Sequence, residues 1–180
     1  MPSSAPTPTV LSSARADGAK VGILWIISFA LFIGNFRYPL CGLLWLFTMV
    51  FTPFYVGILT KSFADSQPDG KVSYGRAYSH SMMTVFYASL LLALAQWVYL
   101  QYIDKGFLID RYASMLTDKE LTTAMERMGY PKGFGKEMAT RLREMRPIDI
   151  VLQLLWSNMV AGMVLSVTTA LYASVRSHWK

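Results

Sequence analysis

A single cysteine, Cys41, leaves no intrachain disulfide to hold the fold. Only two histidines are present, His80 and His178, and neither stands at the spacing to Cys, His or carboxylate that a metal site requires. No metal, no other cofactor and no catalytic residue is therefore expected. Charge is scarce too, at 16% of residues against about 25% in an ordinary soluble domain. The net charge of +6 comes without a continuous basic run, which argues against a nucleic-acid partner. It points instead to Lys and Arg at membrane boundaries, facing anionic lipid.

What the chain has in abundance is apolar sequence. Hydrophobic residues make up 53% of it, mean hydropathy is +0.34, and they fall in long blocks rather than short periodic runs. Blocks of about 18 or more apolar residues mark bilayer-spanning helices. Four are present, near 21–36, 40–60, 81–103 and 150–175, which predicts an all-α polytopic membrane protein. The first, at about 24 Å by helical rise, is short for a hydrocarbon layer of about 30 Å and calls for local thinning or interfacial help from Lys20 and Arg37. Arg37 and Tyr38 leave room only for a tight antiparallel hairpin, with Pro39 in the first turn of the second span. Pro53 predicts a kink in that helix.

Residues 1–20, rich in Pro, Ser, Thr and Ala, read as a flexible tail. An even number of spans puts both termini on one side. That side carries seven Lys and Arg against ten on the other. Cytoplasmic termini are still expected, because Arg15 and Lys20 precede the first span, which dominates insertion, and the ten are largely spread through an acid-containing loop.

The middle of each span so drawn holds no ionisable residue. His80, Asp104 and Asp149 fall at span ends, His80 and His178 read as interfacial, and a proton relay has no residue to carry it. His80 and Asp104 sit at opposite ends of one span, about 36 Å apart by helical rise. The polar residues within the spans suggest helix packing. Asn158, Gly162 and Ser166 recur every four residues, a spacing that lets helix backbones approach in lipid, and Gln96 and Gln153 are candidates for a hydrogen bond between the third and fourth spans.

Residues 104–148 read as a helical insert. Thr117-Asp118-Lys119-Glu120 has the form of a capping box, followed by Leu121, Ala124, Met125 and Met128 on one helical face. Gly129 and Pro131 end that helix; the glycines from Gly129 to Gly135 lack the Gly-Lys-Ser/Thr ending of a phosphate loop. A second helix carries Phe134, Met138, Leu142 and Met145 on one face, before Pro147. The expectation is a helical pair whose apolar stripes are buried against each other, the bilayer surface or a partner.

Taken together, the tight first hairpin, Thr52-Pro53-Phe54, Val72-Ser73-Tyr74-Gly75-Arg76-Ala77-Tyr78 and Tyr99-Leu100-Gln101-Tyr102-Ile103-Asp104 resemble the bacterial membrane family catalogued as domain of unknown function 4199. Family members often carry proline after the Ile-Asp pair, where this chain has Lys105. The resemblance implies a four-helix inner-membrane protein with a helical insert before the last span, and brings no activity. The function expected is therefore structural or accessory rather than enzymatic, through packing with itself or a membrane protein partner, with a component of a transporter or channel as the alternative.

Overall fold

The computed structural model describes residues 9–67 and 70–178, with side chains placed as far as Val175. Its elements are α1 (Val10–Gly34), α2 (Pro39–Asp65), α3 (Tyr74–Val98) continued by a π-helical turn (Tyr99–Ile103), α4 (Phe107–Leu116), α5 (Lys119–Arg127), α6 (Phe134–Glu144) and α7 (Pro147–His178). α1, α2, α3 with its π turn, and α7 are the four helices long and apolar enough to cross a membrane. Their number and order are those expected. Two compact units result, one of Met1–Ala95 with Leu154–Lys180 and one of Gln96–Gln153.

The helices start earlier than hydropathy alone suggests. α1 begins at Val10, so the expected tail over residues 1–20 is helical for its second half, while residues 1–8 lie outside the described residues. Thr9 starts the helix by accepting the Ser12 amide at 3.2 Å. No proline lies between Pro8 and Pro39, and Ala14, Asp17 and Gly18 are buried. At 25 residues, about 37 Å by helical rise, α1 crosses a layer of about 30 Å without thinning. α3 likewise begins at Tyr74, not Ser81.

Within the larger unit the hairpin of α1 and α2 is antiparallel, in one register along its length. Phe32 meets Trp45 at 5.4 Å between ring centroids. Ser28 and Thr48 share a hydrogen bond of 2.7 Å, and the Trp25 indole donates to Thr52 at 3.2 Å. α2 runs on through Pro53 as one helix; Thr48 and Thr52, in the turn before it, donate their hydroxyls to the carbonyls of Trp45 and Thr48. α3 packs against α1 in parallel: Gly18 lies at Thr84 and Tyr87, Gly22 at Ala88 and Leu91. α7 runs antiparallel to α3, with Gly162 at Val85 and Thr169 at Ser81.

The distribution of side chains inverts that of a water-soluble domain. Ser28, Thr52, Thr60, Ser81, Thr84, Ser89, Ser166 and Thr169 are buried. Large apolar residues stand outward, among them Phe47, Phe54 and Ile58 on α2 and Trp156, Val164 and Leu171 on α7. In water this would expose a large aggregation-prone surface. In lipid, apolar burial no longer drives association, and small or hydroxyl-bearing residues make the close contacts.

The smaller unit contains the insert. Lys105 (φ 49°) and Gly106 (φ 88°) are both left-handed and break the chain after the third span, where the buried Asp104 carboxylate accepts the Leu108 amide at 3.1 and 3.2 Å. The insert has three helices, not the expected pair. α4 was missed because its sequence, Phe107–Leu116, joins the preceding apolar block after only a short break. α4 is also the principal partner of α6: Gly135 sits against the Leu116 carbonyl, and Ala113 and Ala139 are buried. The cap of α5 shifts by one residue from the expected box. Thr117 donates its hydroxyl to Ala113 and Ser114, leaving Asp118 to accept the Glu120 amide at 2.9 Å. α7 opens at Pro147, where Asp149 holds the Arg146 guanidinium at 2.8 Å and keeps it protonated above its ordinary range.

A side chain at position 135 has nowhere to go, because its first carbon collides with backbone. Gly135→Leu is expected to separate α6 from α4 and expose the insert to protease within residues 107–144. Limited proteolysis of the purified protein checks it; an unchanged digest would show that the contact is dispensable.

Candidate functional site

The proximity of α1 and α3 follows from small residues. Ala14, Gly18 and Gly22 recur every four residues on α1 and are all buried. A Cβ on Gly18 would lie 2.6 Å from Tyr87 Cβ and 2.9 Å from the Thr84 carbonyl oxygen, so only glycine permits this approach. Asp17, the neighbour of Gly18, is thereby carried to His80 of α3.

Asp17 Oδ2 lies 3.3 Å from His80 Nε2, off the line of a well-aligned hydrogen bond. Its other oxygen accepts Lys20 Nζ at 2.8 Å. His80 is 0% exposed and the Asp17 side chain 12%, whereas the Lys20 side chain is 55% exposed and reaches outward along α1. On its other edge His80 Nδ1 is 3.4 Å from the Thr60 hydroxyl of α2. The imidazole lies flat on the Phe63 ring, 4.4 Å between centroids and 4° from parallel. Two helices, α1 and α2, thus fix the histidine of a third through a carboxylate, a hydroxyl and an aromatic face.

From this centre a line of hydroxyls runs along α3 and α7. Ser81 and Thr169 share a hydrogen bond of 2.7 Å, while the Thr84 and Ser166 hydroxyls are buried without a hydrogen-bond partner. Such groups are costly to bury unpaired and recur where a site takes up a ligand or water. Around the periphery, Arg15 donates to the Tyr87 hydroxyl at 3.3 Å, Lys61 pairs with Asp65 at 2.9 Å, and Arg76 donates to Gln67 at 2.7 Å.

This overturns two expectations. His80 is not interfacial but wholly buried, and the bundle interior does contain an ionisable pair. The reason is the helix starts: with α1 from Val10 and α3 from Tyr74, Asp17 and His80 lie about two turns inside their helices. Four-residue spacing of Ala14, Gly18 and Gly22 is the signal that could have revealed it. His178 lies outside the residues whose side chains are described.

The residues expected to pack are placed as follows. Gly162 and Ser166 are buried and Asn158 half-buried on one face of α7, and a Cβ at Gly162 would collide with Val85. Gln96 is buried with its Oε1 unpartnered, and Gln153 is exposed. Of the insert's apolar stripes, Met125, Phe134, Leu142 and Met145 are half-buried, whereas Leu121, Met128 and Met138 are exposed. Among the described residues no three His, Cys, Asp or Glu side chains converge as a metal site would need.

Comparison with known proteins places most of the helical region in one family. The model of the family described as "Protein of unknown function (DUF4199)" matches residues 17–173, from Asp17 of the buried pair to within the last helix. No curated protein and no solved structure matches the chain.

Proposed function

The chain belongs to this family of unknown function, and we propose that it is an accessory protein of the inner membrane, with cytoplasmic termini, that works by helix packing with itself or with a membrane protein partner. The observation that carries this reading is the side-chain inversion of the bundle. Interior contacts are built from glycine and hydroxyl residues, and the outward faces of α2 and α7 offer helix-length apolar surfaces to lipid or to another helix. The role is non-catalytic, and the bilayer is a partner in its own right through the exposed Leu121, Met128 and Met138 of the insert. Extraction in mild detergent followed by native mass spectrometry tests it. A homo-oligomer or a stoichiometric co-purifying membrane protein is the expected result. A bare monomer, recovered alone under conditions that preserve the fold, contradicts it.

A second reading, a component of a transporter or channel, is favoured by the buried Asp17 and His80 beside the unpartnered Thr84 and Ser166 hydroxyls. Ionisable residues inside a membrane bundle commonly mark ion or proton paths. Proteoliposomes distinguish the two: a proton or solute flux abolished by Asp17→Asn, with assembly intact, supports transport over packing.

A further inference from the structure

We infer that Asp17 and His80 form a proton-binding site inside the helix bundle, loaded from the side of the membrane on which the termini lie. The inference goes beyond the packing role, since it concerns what the interior binds rather than what the exterior contacts.

The ring has an acceptor at each nitrogen. Asp17 Oδ2 faces Nε2 at 3.3 Å and the Thr60 oxygen faces Nδ1 at 3.4 Å. A neutral imidazole with its proton on Nε2 donates toward Asp17 and accepts from the Thr60 hydroxyl. When a proton arrives at Nδ1, both nitrogens become donors and Thr60 turns from donor to acceptor. No bond other than N–H is made, and the charge rises by one. The surroundings thus serve either state without moving the backbone.

Lys20 lets the site change charge. It shares the Asp17 carboxylate at 2.8 Å, so with neutral imidazole the carboxylate and ammonium balance. When the imidazole charges, the carboxylate gains a second cation, and the exposed, four-carbon side chain of Lys20 can release it to water. Among the described residues no other charge intrudes from the elements packed around the ring. On α1, Arg15 is held by Tyr87; on α2, Lys61 and Asp65 pair with each other; on α3, Arg76 is held by Gln67; α7 brings the neutral Ser166 and Thr169. Access is short, because Asp17 and His80 lie seven and six residues from the starts of their helices, about 10 Å by helical rise.

The test is the charge state of the imidazole itself. The full chain carrying His178→Gln, labelled with ¹⁵N-histidine and held in lipid nanodiscs, leaves His80 as the only histidine signal. The ring nitrogens are expected to pass reversibly from the neutral to the charged pattern as the pH is lowered across the range in which the protein stays folded. Asp17→Asn should weaken proton binding by about tenfold or more, and Lys20→Gln should strengthen it, because one removes the favouring charge and the other the competing one. Lys20 is largely exposed, so its replacement keeps the measurement available if the Asp17 variant does not fold. A ring that stays in one charge state across that range, or a transition that Lys20→Gln leaves in place or moves to lower pH, overturns the inference. Neither result depends on whether a protein partner is found.

Discussion

Gly18→Leu is expected to prevent α1 from seating on α3, with a loss of stability of about 3 kcal/mol or more, or no folded protein at all. The obstruction is not a flexible side chain that can swing aside. One of the two atoms met first is the Thr84 carbonyl oxygen, at 2.9 Å, and the other is Tyr87 Cβ, at 2.6 Å, both anchored to the α3 backbone. Gly75 supplies the control, since nothing lies within 4 Å of a Cβ built there and its φ is ordinary. Gly75→Ala should melt like the parent protein. Thermal unfolding of both variants in the same detergent decides the matter, and a Gly18→Leu protein as stable as the parent would remove the close α1–α3 contact from the account.

The second large effect is expected from Asp17→Leu. It removes the carboxylate that lies 3.3 Å from His80 Nε2 in a position with 0% exposure, at a cost of about 1–3 kcal/mol for a buried polar group that loses its charged neighbour. Lys20→Gln, which touches the same carboxylate, should cost little by comparison, because the ammonium is more than half exposed and regains water. Thermal unfolding near neutral pH compares them. Equal losses from the two would mean that Asp17 acts through its surface pair with Lys20, not through the buried histidine.

Much of the fold was legible because lipid imposes a coarse and unmistakable pattern. Long apolar blocks gave the four spans, and Arg37 and Tyr38 before Pro39 gave the hairpin. The site was not legible, for a specific reason. Arg15, Asp17 and Lys20 fall within residues 1–20, which read as a flexible tail, and starting the first span at residue 21 removed Asp17 from the bundle. Hydropathy measures where a helix is greasy, not where it stops, and α1 continues two turns and more into the polar residues under the cap of Thr9. The pairing with His80 is a contact across 63 positions of chain, which one-dimensional periodicity cannot report; only the glycine spacing hinted at a close helix crossing. In the insert the amphipathic stripes were read correctly as helices, but α6 found its partner in the overlooked α4. That choice was made by Gly135 and Ala139, whose small size permits the contact, rather than by the methionines, which stand half-buried or exposed.

The central claim, that α1 delivers Asp17 to a buried His80, is tested most directly by a double-mutant cycle of Asp17→Asn and His80→Gln on thermal stability near neutral pH. The two residues touch, so their losses should not add. A coupling of about 1 kcal/mol or more is predicted. Losses that sum to within about 0.3–0.5 kcal/mol, the behaviour of independent sites, would contradict it.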